Sequence, residues 1–179
     1  QVEPVGVLVP ASHEDVRAAF DVCRELRIPM LPRGAGSSQC GQTVGRALVV
    51  DHSKRLSGVV AFDEEARAVT VEPGIVLDAL NAWLKPHGLW FPVDVSTSAQ
   101  CTLGGMAGNN SCGGRSLRYG TMRDNTLSMD AALADDAQAR LLDHGIHRAG
   151  EIPLRRVGLE DGESALGSHD GFGLFMRGR

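Results

Sequence analysis

Two glycine-rich segments carry most of the residues in this chain that could hold a ligand. The first reads P-R-G-A-G-S-S-Q-C-G-Q over 32–42, and the second reads T-L-G-G-M-A-G-N-N-S-C-G-G over 102–114, with R-Y-G following at 118–120. Glycine allows positive φ and a close approach of the main chain to a ligand, at an entropic cost. The serine, threonine and asparagine residues between the glycines add hydrogen-bonding groups. The pattern predicts a backbone that wraps around a polar, extended ligand.

The spacing of the first segment argues against two common nucleotide sites. Gly34, Gly36 and Gly41 are spaced G-x-G-x-x-x-x-G, whereas the dinucleotide fingerprint needs G-x-G-x-x-G at the start of a helix. Gln42 stands where a P-loop has its lysine, and no helical pattern follows. We therefore expect neither a Rossmann NAD site nor a nucleoside triphosphatase.

A short strand followed by a loop of main-chain N–H donors remains as the interpretation of this segment. Such a nest can hold a pyrophosphate without a metal ion. Ser37 and Ser38 would add hydroxyl donors, and Arg33 would add charge. The alternative is a tight solvent-exposed turn. A second loop of similar composition favours ligand binding. FAD, with its pyrophosphate and flavin, is a polar and extended ligand of the kind that the two loops predict.

Strand and helix patterns alternate over the first half of the chain, which predicts an α+β or α/β fold with helices layered on a sheet. Ser12 is the expected N-cap of the first helix, and Thr102 that of a short helix inside the second glycine segment. We expect helices at about 13–27, 76–85 and 104–109, and strands at 5–9, 30–31, 47–51, 58–62, 68–72, 89–92 and 126–134.

Composition narrows the classes of function. The 179 residues carry a net charge of −4 and 42% hydrophobic residues, which fits one domain or two small lobes and makes nucleic acid an unsuitable partner. No signal peptide or membrane-spanning run is evident. The cysteines, which form no C-x-x-C pair, indicate free thiols in a reducing, cytoplasmic compartment; they are Cys23, Cys40, Cys101 and Cys112.

The histidines do not indicate a metal site or a catalytic triad. His144 and His147 could share a helix face but have no third ligand nearby, so no metal is expected. His13, His52 and His87 are interpreted as surface or capping residues.

Five motifs in order give the chain a specific resemblance. They are P-R-G-A-G-S-S-x-x-G-Q, V-E-P-G at 71–74, F-P-V-D at 91–94, the second glycine segment, and Y-G-T at 119–121. Over about residues 4–136 the chain resembles the FAD-binding domain of the vanillyl-alcohol oxidase and p-cresol methylhydroxylase flavoproteins. Within that family it is most similar to the branch of D-lactate dehydrogenases and glycolate oxidase subunits.

The resemblance implies an α+β fold of two lobes with FAD held between them, the first over about 4–62 and the second over about 63–179. It implies that the first loop holds the pyrophosphate through Pro32, Arg33, Gly34, Ala35, Gly36, Ser37, Ser38, Gly41 and Gln42. It places along the adenine–ribose side or the lobe junction Pro73, Gly74, Pro92, Asp94 and Ser96. It lines the rest of the cofactor with Thr102, Gly104, Gly105, Asn109, Ser111, Gly113, Gly114, Tyr119 and Gly120.

The implied activity is oxidation of a small D-2-hydroxy acid with hydride transfer to flavin N5, followed by electron transfer to an unidentified acceptor. Some members bind FAD covalently through a histidine in the first loop, but none lies between Arg33 and Gln42, so non-covalent FAD is expected. Members place the substrate pocket largely in a C-terminal domain that this chain lacks. The chain alone is therefore expected to be an inactive fragment, and peripheral membrane association of a longer parent stays open.

Two alternatives stay open at this stage. One is an enzyme of the same fold similar to UDP-N-acetylenolpyruvoylglucosamine reductase. The other is a non-catalytic module that has lost the cofactor. The second alternative arises because the family motif L-x-G-S-E-G-T-L-G, which completes the lobe, has an altered counterpart at Leu166 to Phe175 that comes too early in the chain. A separate departure from the family is Asp135-Asp136, where members usually have an Asp-Gly turn.

Overall fold

A three-stranded parallel sheet forms the first layer of the fold. The computed structural model describes residues 2–132 together with the strands at 138–141 and 174–177. The first sheet contains β1 (Gly6–Leu8), β2 (Met30–Arg33) and β3 (Leu48–Asp51), in the order β1-β3-β2. All three strands run parallel, so their carboxyl ends meet at one edge. The first glycine segment leaves the sheet at that edge.

Helix α1 (His13–Glu25) is the crossover between β1 and β2. A capping box fixes its start: the Ser12 hydroxyl accepts from the Asp15 amide at 3.2 Å, and the Asp15 carboxylate accepts from the Ser12 amide at 3.0 Å. Val16, Ala19 and Cys23 form the buried stripe of this amphipathic helix. The helix confirms the predicted N-cap at Ser12.

A five-stranded antiparallel sheet forms the second layer. Its strands are β4 (Val59–Asp63), β5 (Ala68–Val71), β6 (Thr126–Ala132), β7 (Gln138–Leu141) and β8 (Leu174–Arg177), in the order β4-β5-β8-β6-β7. Because β4 pairs with β5, the change from the first sheet to the second falls between Asp51 and Val59. The strand at the far end of the chain occupies the centre of this sheet.

Two helices pack against this second sheet and complete the core. They are α2 (Leu77–Leu84), which buries three leucines, and α3 (Leu103–Gly108), which buries Leu103 and Met106. The Thr102 hydroxyl caps α3, as predicted, by accepting from the Gly105 amide at 3.4 Å. The larger core cluster is Val69, Val71, Ile75, Leu77, Leu80, Leu84, Phe91, Val93, Cys101, Leu103, Met106 and Met122.

One predicted strand is wrong. Residues 89–92 form no strand, and the segment is not exposed, because Phe91 is 1% and Val93 0% accessible. The Phe91 amide donates to the Asn81 side-chain oxygen at 2.7 Å, so a helix side chain satisfies the amide that a neighbouring strand would have paired. The apolar residues of this segment pack in the core, and a short apolar run in the sequence does not distinguish a strand from a buried loop.

Two short elements complete the described chain: helix α4 (Ser116–Tyr119) and a 3₁₀ turn at Arg123–Asn125. None of the described helices combines the length and hydropathy needed to cross a bilayer. Within the same residues no group of three or more metal-ligating side chains occurs. His144 and His147, most of the stretch at 166–175, and Asp135-Asp136 lie outside the described residues.

Candidate functional site

A cleft of about 1020 Å³ lies between the two layers and is lined by both glycine segments. One wall is the carboxyl edge of the parallel sheet, formed by Arg33 at the end of β2, His52 directly after β3 and His13 at the start of α1. The opposite wall contains residues 95–97, helix α3 with the residues after it, and part of β6. Ligands of open α/β sheets bind outside the carboxyl ends of the strands, and this cleft has that position.

The two glycine segments touch at Gly34 and Thr102. A Cβ atom built on Gly34 would collide with the Thr102 hydroxyl, so only glycine allows this approach. Thr102 is 2% accessible and begins α3. The main chain of the first loop is therefore held against the helix start of the second. We conclude that the two segments form one site.

Main-chain donors of the first loop are left without protein partners. Among the described residues, none of the amides from Gly34 to Gln42 donates to a protein acceptor, and the loop's one hydrogen bond joins the Gln42 side chain to Ser38 Oγ at 2.6 Å. Gly36 has φ 70°, and the Arg33 guanidinium lies against it, since a Cβ there would come within 2.6 Å of the guanidinium. A row of free N–H groups beside a cation is suited to an anion such as a pyrophosphate.

The second segment is instead built by its own hydrogen bonds. The Ser111 amide donates to the Met106 carbonyl at 2.9 Å, and the Met122 amide donates to the Ser111 carbonyl at 2.9 Å. Gly104 packs on Pro73, whose carbonyl accepts from the Gly104 amide at 2.8 Å. The V-E-P-G motif thus supports the start of α3.

The sequence-predicted residues divide into two groups by position. Those that line the cleft are Pro32, Arg33, Gly34, Ala35, Gly36, Ser37, Ser38, Gln42, Pro73, Ser96, Thr102, Gly104, Gly105, Asn109 and Ser111. Those that do not line it are Gly41, Gly74, Pro92, Asp94, Gly113, Gly114, Tyr119 and Gly120. Contact of either group with a cofactor stays a prediction.

Several members of the second group hold the second segment in place. Asp94 Oδ1 accepts from the Arg115 amide at 3.0 Å, and the main chain of Gly113 packs on the Asp94 carbonyl so closely that a Cβ would collide with it. Gly120 has φ 82° and packs on Asp124. These contacts show a supporting position, behind the wall of the cleft.

Two histidines that the sequence analysis interprets as surface or capping residues lie on the cleft wall. His13 and His52 both line the cleft, and burial lowers the pKa of His52 below 6.5 although Asp51 opposes the shift. His52 directly follows β3, and its place in the cleft follows once β3 is known to belong to a parallel sheet. Cleft residues that the sequence did not single out include Gln39, Thr43, Val95, Thr97, Asn110 and the β6 residues from Met129 to Ala132.

The residues present fit FAD. The unpaired amides of the first loop and the Arg33 guanidinium suit its pyrophosphate, while the longer second wall supplies asparagine and serine side chains. Burial raises the pKa of the Cys101 thiol, so this cysteine stays protonated near neutral pH and lacks the thiolate that covalent attachment needs.

Comparison with known proteins decides the family. The model of the FAD binding domain matches residues 4–141. The chain belongs to the FAD binding domain family. The predicted cofactor is therefore confirmed as FAD, and the expected lobed α+β fold is confirmed by solved structures. An alkyldihydroxyacetonephosphate synthase matches with a TM-score of 0.71 at 22% identity, covering 97% of this chain and 31% of that one.

The curated relatives of this FAD binding domain are 2-hydroxy acid enzymes by name. "Probable D-lactate dehydrogenase, mitochondrial" of Danio rerio is 38% identical over 133 residues, which cover 74% of this chain and 26% of that protein. D-2-hydroxyglutarate dehydrogenase of Pantoea ananatis is 38% identical over 136 residues, 74% of this chain and 13% of that protein. Glycolate oxidase subunit GlcD of Bacillus subtilis is 34% identical over 140 residues, which cover 75% of this chain and 29% of that protein. The chain thus spans less than a third of each relative.

Proposed function

We propose that this chain is the FAD-binding portion of a flavin-dependent oxidoreductase that oxidises a small 2-hydroxy acid. The names of its relatives specify D-lactate, D-2-hydroxyglutarate and glycolate, which all carry a hydroxyl group on the carbon beside a carboxylate. When bound, FAD supplies the two-electron acceptor for that oxidation. The electron acceptor that follows is not specified by this chain.

The close contact between Gly34 and Thr102 carries the proposal. It joins a loop of unpaired amides to the start of a capped helix across one cleft. In the proposed complex the amides after Arg33 hold the pyrophosphate, and the groups of the second segment hold the remainder of the cofactor. Residues such as Asp94 and Gly120 act behind the wall by fixing the second segment, without touching the cofactor themselves.

The proposal includes a cytoplasmic location, with peripheral membrane contact of a longer parent left open. Its support is the state of the cysteines, because all four described thiols are free. The partners in the proposal are the small hydroxy acid and the electron acceptor, and no nucleic acid.

Titration of the purified chain with FAD tests the first part of the proposal. We expect saturable quenching of flavin fluorescence, release of intact FAD on denaturation because the attachment is non-covalent, and weaker binding in a Gly34→Val variant. Gly45→Ala is a matched control, since a Cβ there would contact only Leu31 at 3.8 Å. Absence of flavin binding by the wild-type chain would overturn the assignment.

A second experiment tests the substrate class. The chain alone should hold FAD without oxidising D-lactate or glycolate, because it spans less than a third of its relatives. A longer protein containing this sequence should reduce an artificial electron acceptor when a D-2-hydroxy acid is added, and should not respond to the L enantiomer. Appreciable turnover by the isolated chain would contradict the expectation.

A further inference from the structure

Asn110 is a cleft residue whose side chain is held in one orientation. It follows α3 with φ 46°, a left-handed conformation that asparagine tolerates better than most residues. Its Oδ1 accepts from the Arg123 amide at 2.9 Å and from the Thr121 hydroxyl at 3.2 Å. Both partners lie in the turn before β6.

These two bonds decide which end of the carboxamide is available to a ligand. A main-chain amide can only donate, so the atom of Asn110 facing Arg123 must be the oxygen, and the assignment of the two ends follows from chemistry. With the oxygen occupied, the Nδ2 group keeps two donor hydrogens. Among the described residues no protein acceptor takes either of them.

The position of Asn110 separates it from the first glycine loop. Thr102, which touches that loop, and Asn110 lie at opposite ends of α3, whose six residues rise about 9 Å at 1.5 Å per residue. A ligand with its pyrophosphate on the first loop would therefore meet Asn110 with a different, uncharged part.

We propose that Asn110 binds FAD by donating a hydrogen bond from Nδ2 to an uncharged acceptor atom beyond the pyrophosphate. The inference rests on the proposed binding of FAD in this cleft. The competing explanation is that Asn110 is present only because it accepts positive φ and bonds the neighbouring turn. The two explanations differ in what aspartate should do at this position.

Asn110→Asp separates them. Aspartate also tolerates positive φ, and its carboxylate can accept from Arg123 and Thr121, so the turn keeps its bonds. The Nδ2 donor of Asn110, however, is replaced by a carboxylate oxygen, which would face the acceptor atom of FAD and could not donate a hydrogen bond to it. We expect FAD affinity, measured by flavin fluorescence quenching, to fall about tenfold to a hundredfold, with the melting temperature nearly unchanged.

Asn81→Asp is the matched control. Asn81 Oδ1 likewise accepts from a main-chain amide, that of Phe91 at 2.7 Å, and Asn81 is not in the cleft. This variant adds the same charge and keeps the same kind of bond, so FAD affinity should stay at the wild-type value. Wild-type affinity in Asn110→Asp, with wild-type protein binding FAD, would overturn the inference and leave the proposed function intact.

Two further measurements exclude other causes of a loss. Repulsion between the new carboxylate and a pyrophosphate bound at the first loop would be screened in 1 M salt, where the Debye length is about 3 Å. A direct effect should persist in 1 M salt, and a penalty that disappears there would overturn the inference.

Asn110→Gly, which accepts φ 46° without strain, should also bind FAD about tenfold more weakly. Wild-type affinity in the glycine variant would favour the turn explanation and overturn ours.

Discussion

The two glycine segments have similar compositions, yet they use their hydrogen bonds in opposite ways. From Gly34 to Gln42 no main-chain amide has a protein acceptor in the described structure. Over 102–114 most amides have a protein acceptor: those of Asn109 and Ser111 donate to carbonyls of α3, and the Gly113 amide donates to Ser116 Oγ at 2.9 Å. The first segment keeps its donors for a ligand, whereas the second uses most of them to fix its own shape.

This difference predicts that the first segment contributes mainly to the free energy of FAD binding and the second mainly to the free energy of folding. A buried or partly buried polar group left without a partner costs free energy, so unpaired amides indicate a place where a ligand or water completes the bonding. Substitutions in the first segment should therefore weaken FAD binding more than they destabilise the fold. Substitutions behind the second segment should do the reverse.

The largest expected effect on stability is that of Gly113→Ala. The added Cβ would collide with the Asp94 carbonyl oxygen, a main-chain atom that cannot rotate away. We expect the free energy of unfolding to fall by about 3 kcal/mol, at the upper end for overpacking, because the backbone must shift. Urea denaturation measures the loss, with Gly45→Ala as the control that should stay near wild type. A Gly113→Ala protein of wild-type stability would show that the second segment is not rigidly packed.

Arg33→Gln tests the opposite side of the comparison. Removing the guanidinium beside Gly36 should raise the Kd for FAD at least about tenfold, because hydrogen bonds to charged groups are worth about 1.5–3 kcal/mol. The melting temperature should change little. Arg46→Gln, at an exposed position outside the cleft, is the control. Equal losses of affinity in both variants would show that net charge, and not the position of Arg33, causes the effect. A large loss of stability in Arg33→Gln would contradict the idea that the first segment serves binding more than folding.

Thr102→Val should affect both properties, because Thr102 belongs to both sides of the contact. The variant loses the hydroxyl that caps Gly105, at a cost of about 1 kcal/mol, and alters the surface that Gly34 touches. We expect a few-fold weaker FAD binding together with that destabilisation. Thr126→Val is matched to it, since Thr126 Oγ1 donates to the Met122 carbonyl at 2.8 Å outside the cleft. Reduced FAD affinity in Thr126→Val as well would show that general destabilisation weakens binding.

Local patterns in the sequence predict much of the first layer and of the site. Ser12, with Asp15 three residues later, predicts the helix start, and Pro32–Gln42 predicts the ligand loop. These signals are local, since a cap or a run of glycines depends on its immediate neighbours. The convergence of the two loops came from the resemblance and from similar composition, and the structure shows it at Gly34 and Thr102.

Long-range features were the ones the sequence could not supply. Strand β8 lies between β5 and β6 although it comes from the end of the chain, and no local pattern specifies such a neighbour. The buried segment at Phe91 looks like a strand because burial requires apolar residues in either case. His52 was missed for a related reason, because its place in the cleft depends on how three parallel strands end together.

The smallest expected effect is a pH dependence of stability that arises from His52 at the cleft edge of the first layer. Burial is the main cause that lowers the pKa of His52, and His13 lowers it further. Main-chain hydrogen bonds with Arg33 and Val50 and the charge of Asp51 partly offset this lowering. Below pH 6.5 the unfolded chain then binds a proton that the folded chain resists, so the free energy of unfolding falls as the pH falls toward the folded pKa. His52→Gln should flatten this slope between pH 7.5 and about 5.5 in urea denaturation, because the titrating group is gone. His87→Gln, which removes an exposed histidine that packs on Phe62 and Trp83, is the control for the loss of an imidazole outside the cleft. An unchanged slope in His52→Gln would mean that burial at the cleft edge does not resist the proton, and that the carboxyl end of the parallel sheet is more hydrated than its packing indicates.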